Sequence, residues 1–424
     1  MAEIKAFRGI YYNYKEYNPA DLITPPYDVL TPEEVKEYKE KSPYNMVHLI
    51  KNKNYKEVKE KVDLMMQNRI LLRDDSPSLY LYTQKFKIED IGEFERIALI
   101  SITRVADYNE KIILPHEKIL EGPRKDRMRL LEETLMNFGF IFMFYEDKNN
   151  IEDILINYKN NYDERDFMFS FTCDFGIENT LIRISDKSLI DKIGNLIKDE
   201  RFYIADGHHR YDTSLSYAKE KGNIKKDKPY NFVLSGVVSM RDKGLFVLPI
   251  YRFVHSIPNF SFSDFVNIIS EYFDIKEVVK DEGFKILSDN KNNYTYLIEN
   301  KEGKFFIITP KSKQLIKNKL PEVSEVLKEL DVIILHKFIF EKLLNLTEEQ
   351  IKKGENIKFL HSQREIEETK EAIKEELNFI VYLNPVSLDD ITNVALNGEY
   401  MPQKSTLFYP KLYSGIVMNT IKDF

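Results

Sequence analysis

Cysteine is nearly absent from this chain. Cys173 is the only one in 424 residues, which excludes an intrachain disulfide framework and any zinc site built on paired cysteines. Long apolar runs are missing as well. No window reaches the ~18 uninterrupted apolar residues of a membrane span, and the start, MAEIKAFRGI, has no apolar signal core. These absences predict a soluble, cytoplasmic protein with no membrane partner. Blocks of basic charge are missing too. Sixty-two Lys+Arg face 69 Asp+Glu, a formal −7 with a pI near 5.7, so no nucleic-acid partner is expected. Arginine is scarce, at 15 against 47 lysines, so a local cluster of arginines stands out. No repeat or low-complexity segment is visible. Gly-x-Ser-x-Gly, His-Glu-x-x-His, Gly-x-Gly-x-x-Gly and EF-hand patterns do not occur where they would matter.

What is present is an ordinary soluble balance, 43% hydrophobic and 31% charged. At roughly 100–200 residues per domain the length allows about two to four domains. The patterning predicts an α+β chain with mixed sheets. Thr24-Pro25-Pro26-Tyr27-Asp28 is a rigid turn, because two prolines exclude a helix. Thr31 caps a helix opened by Pro32, and a second helix fits 54–72. Residues 78–87 and 96–105 alternate as a hairpin. A helix is predicted over 123–137, a buried strand over 140–145 and a strand over 201–205. The turn 206–210 leads into a helix over 211–221, capped by Gly222. A second hairpin is predicted from 232–240 and 245–254, and a third from 294–299 and 304–309. A helix at 333–344 and a strand at 378–383 follow. A boundary is placed at 257/258, giving domains 1–257 and 258–424. The tail 398–415 is expected to return to the site.

The sharpest chemical signal is Asp206-Gly207-His208-His209-Arg210 between strand and helix. A helix N-terminus offers free N–H groups and about half a positive charge. Gly207 lets the backbone come close to an anion. Two imidazoles and a guanidinium add donors, so the turn suits phosphate or pyrophosphate. Asp206 repels phosphate and fits instead as a Mg²⁺ ligand, a general base, or an orienter of a histidine ring. A plain capped turn with exposed histidines is the alternative.

His116-Glu117 precedes Arg124, Lys125, Asp126, Arg127 and Arg129, with three of the 15 arginines inside six residues. Arginine grips phosphate bidentately. Asp126 and Arg127 begin a helix and could share a site with His116 and Glu117. Ion pairing on a solvated face is the alternative for Arg124 and Arg129. Lys404-Ser405-Thr406, with Tyr409-Pro410-Lys411 nearby, lacks the glycines of a P-loop. A lysine and two hydroxyls still suit phosphate oxygens, against the reading of an ordinary surface loop. Phe7-Arg8-Gly9 and the diproline turn complete the set. Asp28 is held stiffly, either for a task or as part of a packing turn.

These motifs, in this order, resemble the family known as domain of unknown function 1015. The residues that carry the likeness are Pro25-Pro26-Tyr27-Asp28, His116-Glu117 with Asp126-Arg127, Ala205 to Tyr211, and Met401 to Thr406 with Tyr409-Pro410-Lys411. One departure is Ile250-Tyr251, where the family pattern leads us to expect Thr-His. The Gly-His-His-Arg turn also resembles the phosphate-binding turn of the ParB/sulfiredoxin superfamily, which includes free serine kinases. The resemblance implies a ParB/sulfiredoxin-like phosphate-binding core and a C-terminal α/β subdomain. It also implies an alcohol-accepting phosphotransferase that moves a phosphoryl group from pyrophosphate to free L-serine, with Mg²⁺. On that reading Gly207, His208, His209, Arg210, Arg127, Lys404, Ser405, Thr406 and His116 hold phosphate. Asp206 and Asp126 hold the metal, and Glu117 or Asp206 takes the serine proton. Arg127 neutralises charge on the transferred group, and Asp28 and Arg8 bind the serine ammonium and carboxylate. The alternatives are a nucleotide-dependent serine kinase, a phosphoserine phosphatase, or a non-catalytic nucleotide-binding ParB-like protein.

Overall fold

The computed structural model describes residues 1–88, 91–119 and 121–424. Two compact units emerge. The first comprises Met1–Pro115, Ile119–Phe246 and Pro410–Phe424; the second comprises His116–Lys118 and Val247–Tyr409. The chain therefore changes unit after Phe246, earlier than the expected 257/258. The reason is local. The strand Tyr251–His255 finds its ladder partners in 357–360 and 377–382, both in the second unit. Of the tail expected to return, residues 410–415 belong to the first unit and 398–409 to the second.

The first unit is built on a nine-stranded mixed sheet. Its strands are β1 (Ile4–Lys5), β2 (Leu79–Ile88), β3 (Gly92–Arg104), β4 (Ile113–Leu114), β5 (Ile141–Tyr145), β6 (Phe167–Thr172), β7 (Glu178–Ile184), β8 (Phe202–Asp206) and β9 (Phe232–Ser239). The order is β4-β8-β5-β9-β3-β2-β7-β6, with β1 paired to β3. The first predicted hairpin forms, in the register Tyr80↔Ile100; part of its loop, Glu89 and Asp90, lies outside the described residues. The second predicted hairpin does not form. β9 runs antiparallel to β3 and parallel to β5. All eight of its residues are buried, as expected of a central strand covered on both faces. Such a strand is paired on both edges by long-range partners, so the nearby turn at Arg241–Gly244 does not decide its neighbour.

Three helices of this unit matter to the site: α1 (Tyr55–Gln67), α2 (Glu121–Thr134) and α3 (His208–Lys221). α3 begins three residues earlier than predicted, so both histidines and Arg210 lie in its first turn. Tyr211, Leu215 and Ala218 fix α3 to the core with Ile141, Met143 and Ile204. Each such burial is worth roughly 1.5–3 kcal/mol for the larger side chains. α2 stops short of the predicted 137. Leu135 turns left-handed (φ 54°) and its N–H caps Leu131 O at 2.8 Å. A second core, including Leu22, Val47, Val62, Leu130 and Met418, packs the N-terminal loops.

The second unit carries a six-stranded sheet of β10 (Tyr251–His255), β11 (Phe273–Val278), β12 (Tyr296–Asn300), β13 (Phe305–Pro310), β14 (Ile357–Leu360) and β15 (Leu377–Tyr382). The order is β11-β13-β12-β15-β10-β14, and every ladder is antiparallel. The third predicted hairpin is β12–β13. An antiparallel sheet makes this unit α+β, correcting the α/β expectation, because no crossover joins parallel neighbours. The predicted helix 333–344 forms as a short α-helical turn, Asp331–Ile333, followed by a π-helix over Ile334–Leu343. Among the described residues, no helix is long and apolar enough to cross a membrane.

Candidate functional site

β8 delivers Asp206 to the end of the sheet, and Gly207 turns the chain into α3. Gly207 has φ 91°, a left-handed conformation that side chains other than glycine resist. A Cβ there would also meet the Arg210 guanidinium at 3.1 Å. Glycine has no side chain to cap the helix, so the first-turn amides are left to other acceptors. The turn thus keeps a helix N-terminus and Arg210 side by side.

Arg210 is fixed from two sides. Its Nη2 donates to Asp206 Oδ2 at 2.6 Å and its Nη1 to Phe140 O at 2.5 Å. Gly139 makes room for this, since a Cβ there would stand 3.3 Å from Nη1. The other Asp206 oxygen is taken by Lys411, whose Nζ lies 2.5 Å from Oδ1. Lys411 arrives on the C-terminal segment, which is laced to the diproline turn. Thr24 and Ser414 exchange backbone hydrogen bonds of 3.3 and 2.8 Å. Burial pushes the Asp206 carboxyl up, but Lys411 and Arg210 outweigh it and hold it down at about 2. Asp206 is thus shared by two cations beside a helix N-terminus, and the exposed Asp28 also acts on Arg210. In a partly desolvated site the two cations and the helix N-terminus attract an anion.

Around this centre stand residues from two further elements. Tyr27 lies beneath the Arg127 guanidinium, 4.1 Å from ring centroid to Cζ. Burial and the Asp28 charge push its hydroxyl up to about 12. Asp28 is exposed, and its charge also acts on His209 and Arg210. Arg127 is buried. It donates through Nε to Asp126 Oδ2 at 2.8 Å and through Nη2 to Ile50 O at 3.1 Å. Tyr55 of α1 donates to Asp126 Oδ1 at 2.6 Å. Burial raises the Asp126 carboxyl, yet Tyr55 and Arg127 hold it below its ordinary value. A cavity of about 60 Å³ is lined by Tyr27, Arg127, Gly139, Arg210, Ser214 and Ser414, among others. His209 is half-buried. Burial lowers its pKa below 6.5 despite the pull of Asp28 and Asp212, so the ring is mainly neutral at pH 7.

The structure brings Asp28, Asp126, Arg127 and the 206–210 turn into one neighbourhood. The oxygens of Asp206 and Asp126 each accept from a cation or from Tyr55, which leaves further lone pairs on both carboxylates. Among the described residues no group of three or more His, Cys, Asp or Glu side chains is arranged to hold a metal. Both Asp206 oxygens are engaged and its pKa is held near 2, which disfavours it as a base; it orients Arg210 and Lys411. Arg124 ion-pairs with Asp212 at 2.8 Å and ties α2 to α3. Arg8 donates to Asp74 O at 2.9 Å and acts on Asp423; none of its described interactions is with the 206–210 turn.

His116 and Glu117 belong to the second unit, apart from Asp126 and Arg127 in the division of the chain. There they meet the Lys-Ser-Thr turn. His116 Nε2 and Thr406 Oγ1 are 3.0 Å apart, Glu117 bridges Met401 in parallel, and Met401 N donates to His116 O at 2.9 Å. Ser405 Oγ closes the turn on Pro402 O at 2.6 Å, and Lys404 is exposed.

The family described as protein of unknown function (DUF1015) matches residues 4–333. The chain belongs to this family. The Met401–Lys411 motif lies beyond the matched stretch. No curated protein matches the chain. Three solved structures are remotely similar. A free serine kinase in complex with AMP has a TM-score of 0.35 at 10% identity, covering 73% of this chain and 86% of that one. A conserved hypothetical protein from Pyrococcus furiosus has a TM-score of 0.35 at 11% identity, covering 77% and 94%. SbnI from Staphylococcus aureus, truncated at its C-terminus, has a TM-score of 0.33 at 8% identity, covering 77% and 84%.

The sequence reading left out Lys411 as a site residue, together with Tyr27, Tyr55, Gly139 and Ser414. Lys411 and Tyr27 were visible inside quoted motifs. Gly139 and Tyr55 carry no local signal, since only tertiary packing brings them near Arg210 and Asp126.

Proposed function

We propose that this protein is a phosphotransferase that moves a phosphoryl group from pyrophosphate to the hydroxyl of free L-serine, giving O-phospho-L-serine and phosphate. The observation that carries the reading is the pair of cations, Arg210 and Lys411, on the single carboxylate of Asp206 at the N-terminus of α3. Phosphoryl transfer asks mainly for positioning and charge neutralisation. Arg210, Lys411, a helix N-terminus and Arg127 supply both for a small polyanion.

In the transfer, the serine oxygen attacks a phosphorus of the diphosphate. The bridging P–O bond breaks and phosphate leaves with its electron pair. The hydroxyl proton goes to His209, whose neutral ring can accept it. Arg210 and Lys411 offset the charge that builds on the phosphoryl oxygens. Asp28, exposed beside His209, suits the serine ammonium. Lys404, Ser405 and Thr406 are proposed as a second phosphate-binding element in the second unit, with Glu117 beside them as an alternative proton acceptor.

A ³¹P spectrum of the full chain with L-serine and either pyrophosphate or ATP tests the reading. Phosphoserine formed from pyrophosphate supports it. Phosphoserine formed only from ATP, or none from either donor, overturns it.

A further inference from the structure

Arg252, on β10, is buried to 1% exposure, yet its partners are all neutral. Nε donates to His336 Nε2 at 3.0 Å, Nη2 to Lys404 O at 3.2 Å, and Nη1 to Ile250 O. The guanidinium lies over the Phe359 ring at 4.8 Å. Among the described residues no carboxylate reaches it at ion-pair distance. Burying a cation without an anion is costly, and burial brings the Arg252 pKa down to about 9. Because the guanidinium can only donate, His336 Nε2 must accept, so the imidazole is neutral. Burial and the Arg252 charge hold its pKa well below 6.5. His336 sits on the π-helix, a rare geometry that is frequent at functional sites. A stacked Phe359 ring, 6.2 Å away, fixes its face.

One branch of the guanidinium reaches the 402–406 turn. Lys404 has φ 58°, a strained conformation for a side-chain-bearing residue, and its carbonyl accepts from Arg252 Nη2. Ser405 closes the same turn on Pro402, and Thr406 joins His116.

We propose that Arg252, aligned by neutral His336, is the positioning residue of the 402–406 turn and makes that turn an anion site for a phosphate-class ligand, with Lys404 as its contacting cation. This rests on the proposed phosphate role of Lys404, Ser405 and Thr406, but it adds two buried residues from outside the quoted motifs.

Trypsin cleavage after Lys404, followed by mass spectrometry on the full-length protein with and without pyrophosphate, tests it. In the wild-type protein the turn is cut slowly, and pyrophosphate slows it further. His336→Leu removes the acceptor, so cleavage after Lys404 rises by about tenfold or more as the turn opens locally, and pyrophosphate no longer protects. His336→Gln places an amide oxygen near the lost Nε2 and restores both behaviours. Arg252→Lys keeps the charge but loses the fork, so it also speeds cleavage; it serves where His336→Leu does not fold. Wild-type cleavage and protection in a folded His336→Leu or Arg252→Lys protein overturn the inference. Absence of pyrophosphate protection in the wild-type protein overturns the anion site. Because serine phosphorylation is read separately by ³¹P, its failure leaves these outcomes intact.

Discussion

Lys411 Nζ and Arg210 Nη2 grip opposite oxygens of Asp206, at 2.5 and 2.6 Å, although 201 positions of sequence separate Lys411 from Arg210. This arrangement joins the C-terminal segment to the N-terminus of α3. It also decides what Asp206 does, because a carboxylate held by two cations orients them and takes no proton near neutral pH.

Lys411→Met should cut pyrophosphate affinity by about 10–100-fold and stability by about 2 kcal/mol, the loss of a charge-assisted hydrogen bond. Lys411→Arg should recover most of the affinity. Calorimetric titration and thermal melts check both. Full affinity in Lys411→Met would show that the second cation is irrelevant to the anion.

Gly207→Ala meets a left-handed backbone and the Arg210 guanidinium at once. The strain costs about 1–2 kcal/mol, and the displaced guanidinium should lower kcat more than it raises KM. A purely thermal effect, with kcat unchanged at a temperature where the variant is folded, would contradict this.

The acid limb of the pH–rate curve should follow His209. Its pKa is lowered by burial, so the midpoint of the acid limb lies below pH 6.5 and kcat/KM rises with pH through it. His209→Ala should lose about 10²–10⁴-fold in turnover. A limb centred above 6.5 would assign the proton to another group.

Asp206 governs a separate pH window. Its folded pKa, about 2, lies below the ordinary 3.8. The folded state therefore binds fewer protons than the unfolded state between these values. The stabilisation is fully present above the unfolded pKa and is lost as pH falls through about 4 toward 2. Urea midpoints of wild type and Asp206→Asn should differ widely at pH 6 and converge near pH 2. A constant gap would contradict the ion-pair assignment.

The local patterns were readable where short-range chemistry decides structure. Thr31-Pro32 opens a capped helix, β2–β3 and β12–β13 are sequence neighbours, and Gly207 marks a turn that other residues resist. The pairing of β9 is not legible locally because its ladder partners, Leu99–Arg104 and Ile141–Tyr145, are far away in sequence. A two-sided buried strand shows no alternation to reveal them. His336 stands among apolar residues of the π-helix, and nothing local in the sequence marks its contact with Arg252. At the site, Arg210 and Asp206 were legible from spacing. Their saturation by Lys411 was not, because one lysine among 47 has no local mark.

The most direct measurement is a crystal structure of the full chain with diphosphate. The account predicts density for the polyanion at the first turn of α3, within hydrogen-bond reach of Arg210 or Lys411. A diphosphate bound elsewhere, with that corner occupied only by water, would contradict it.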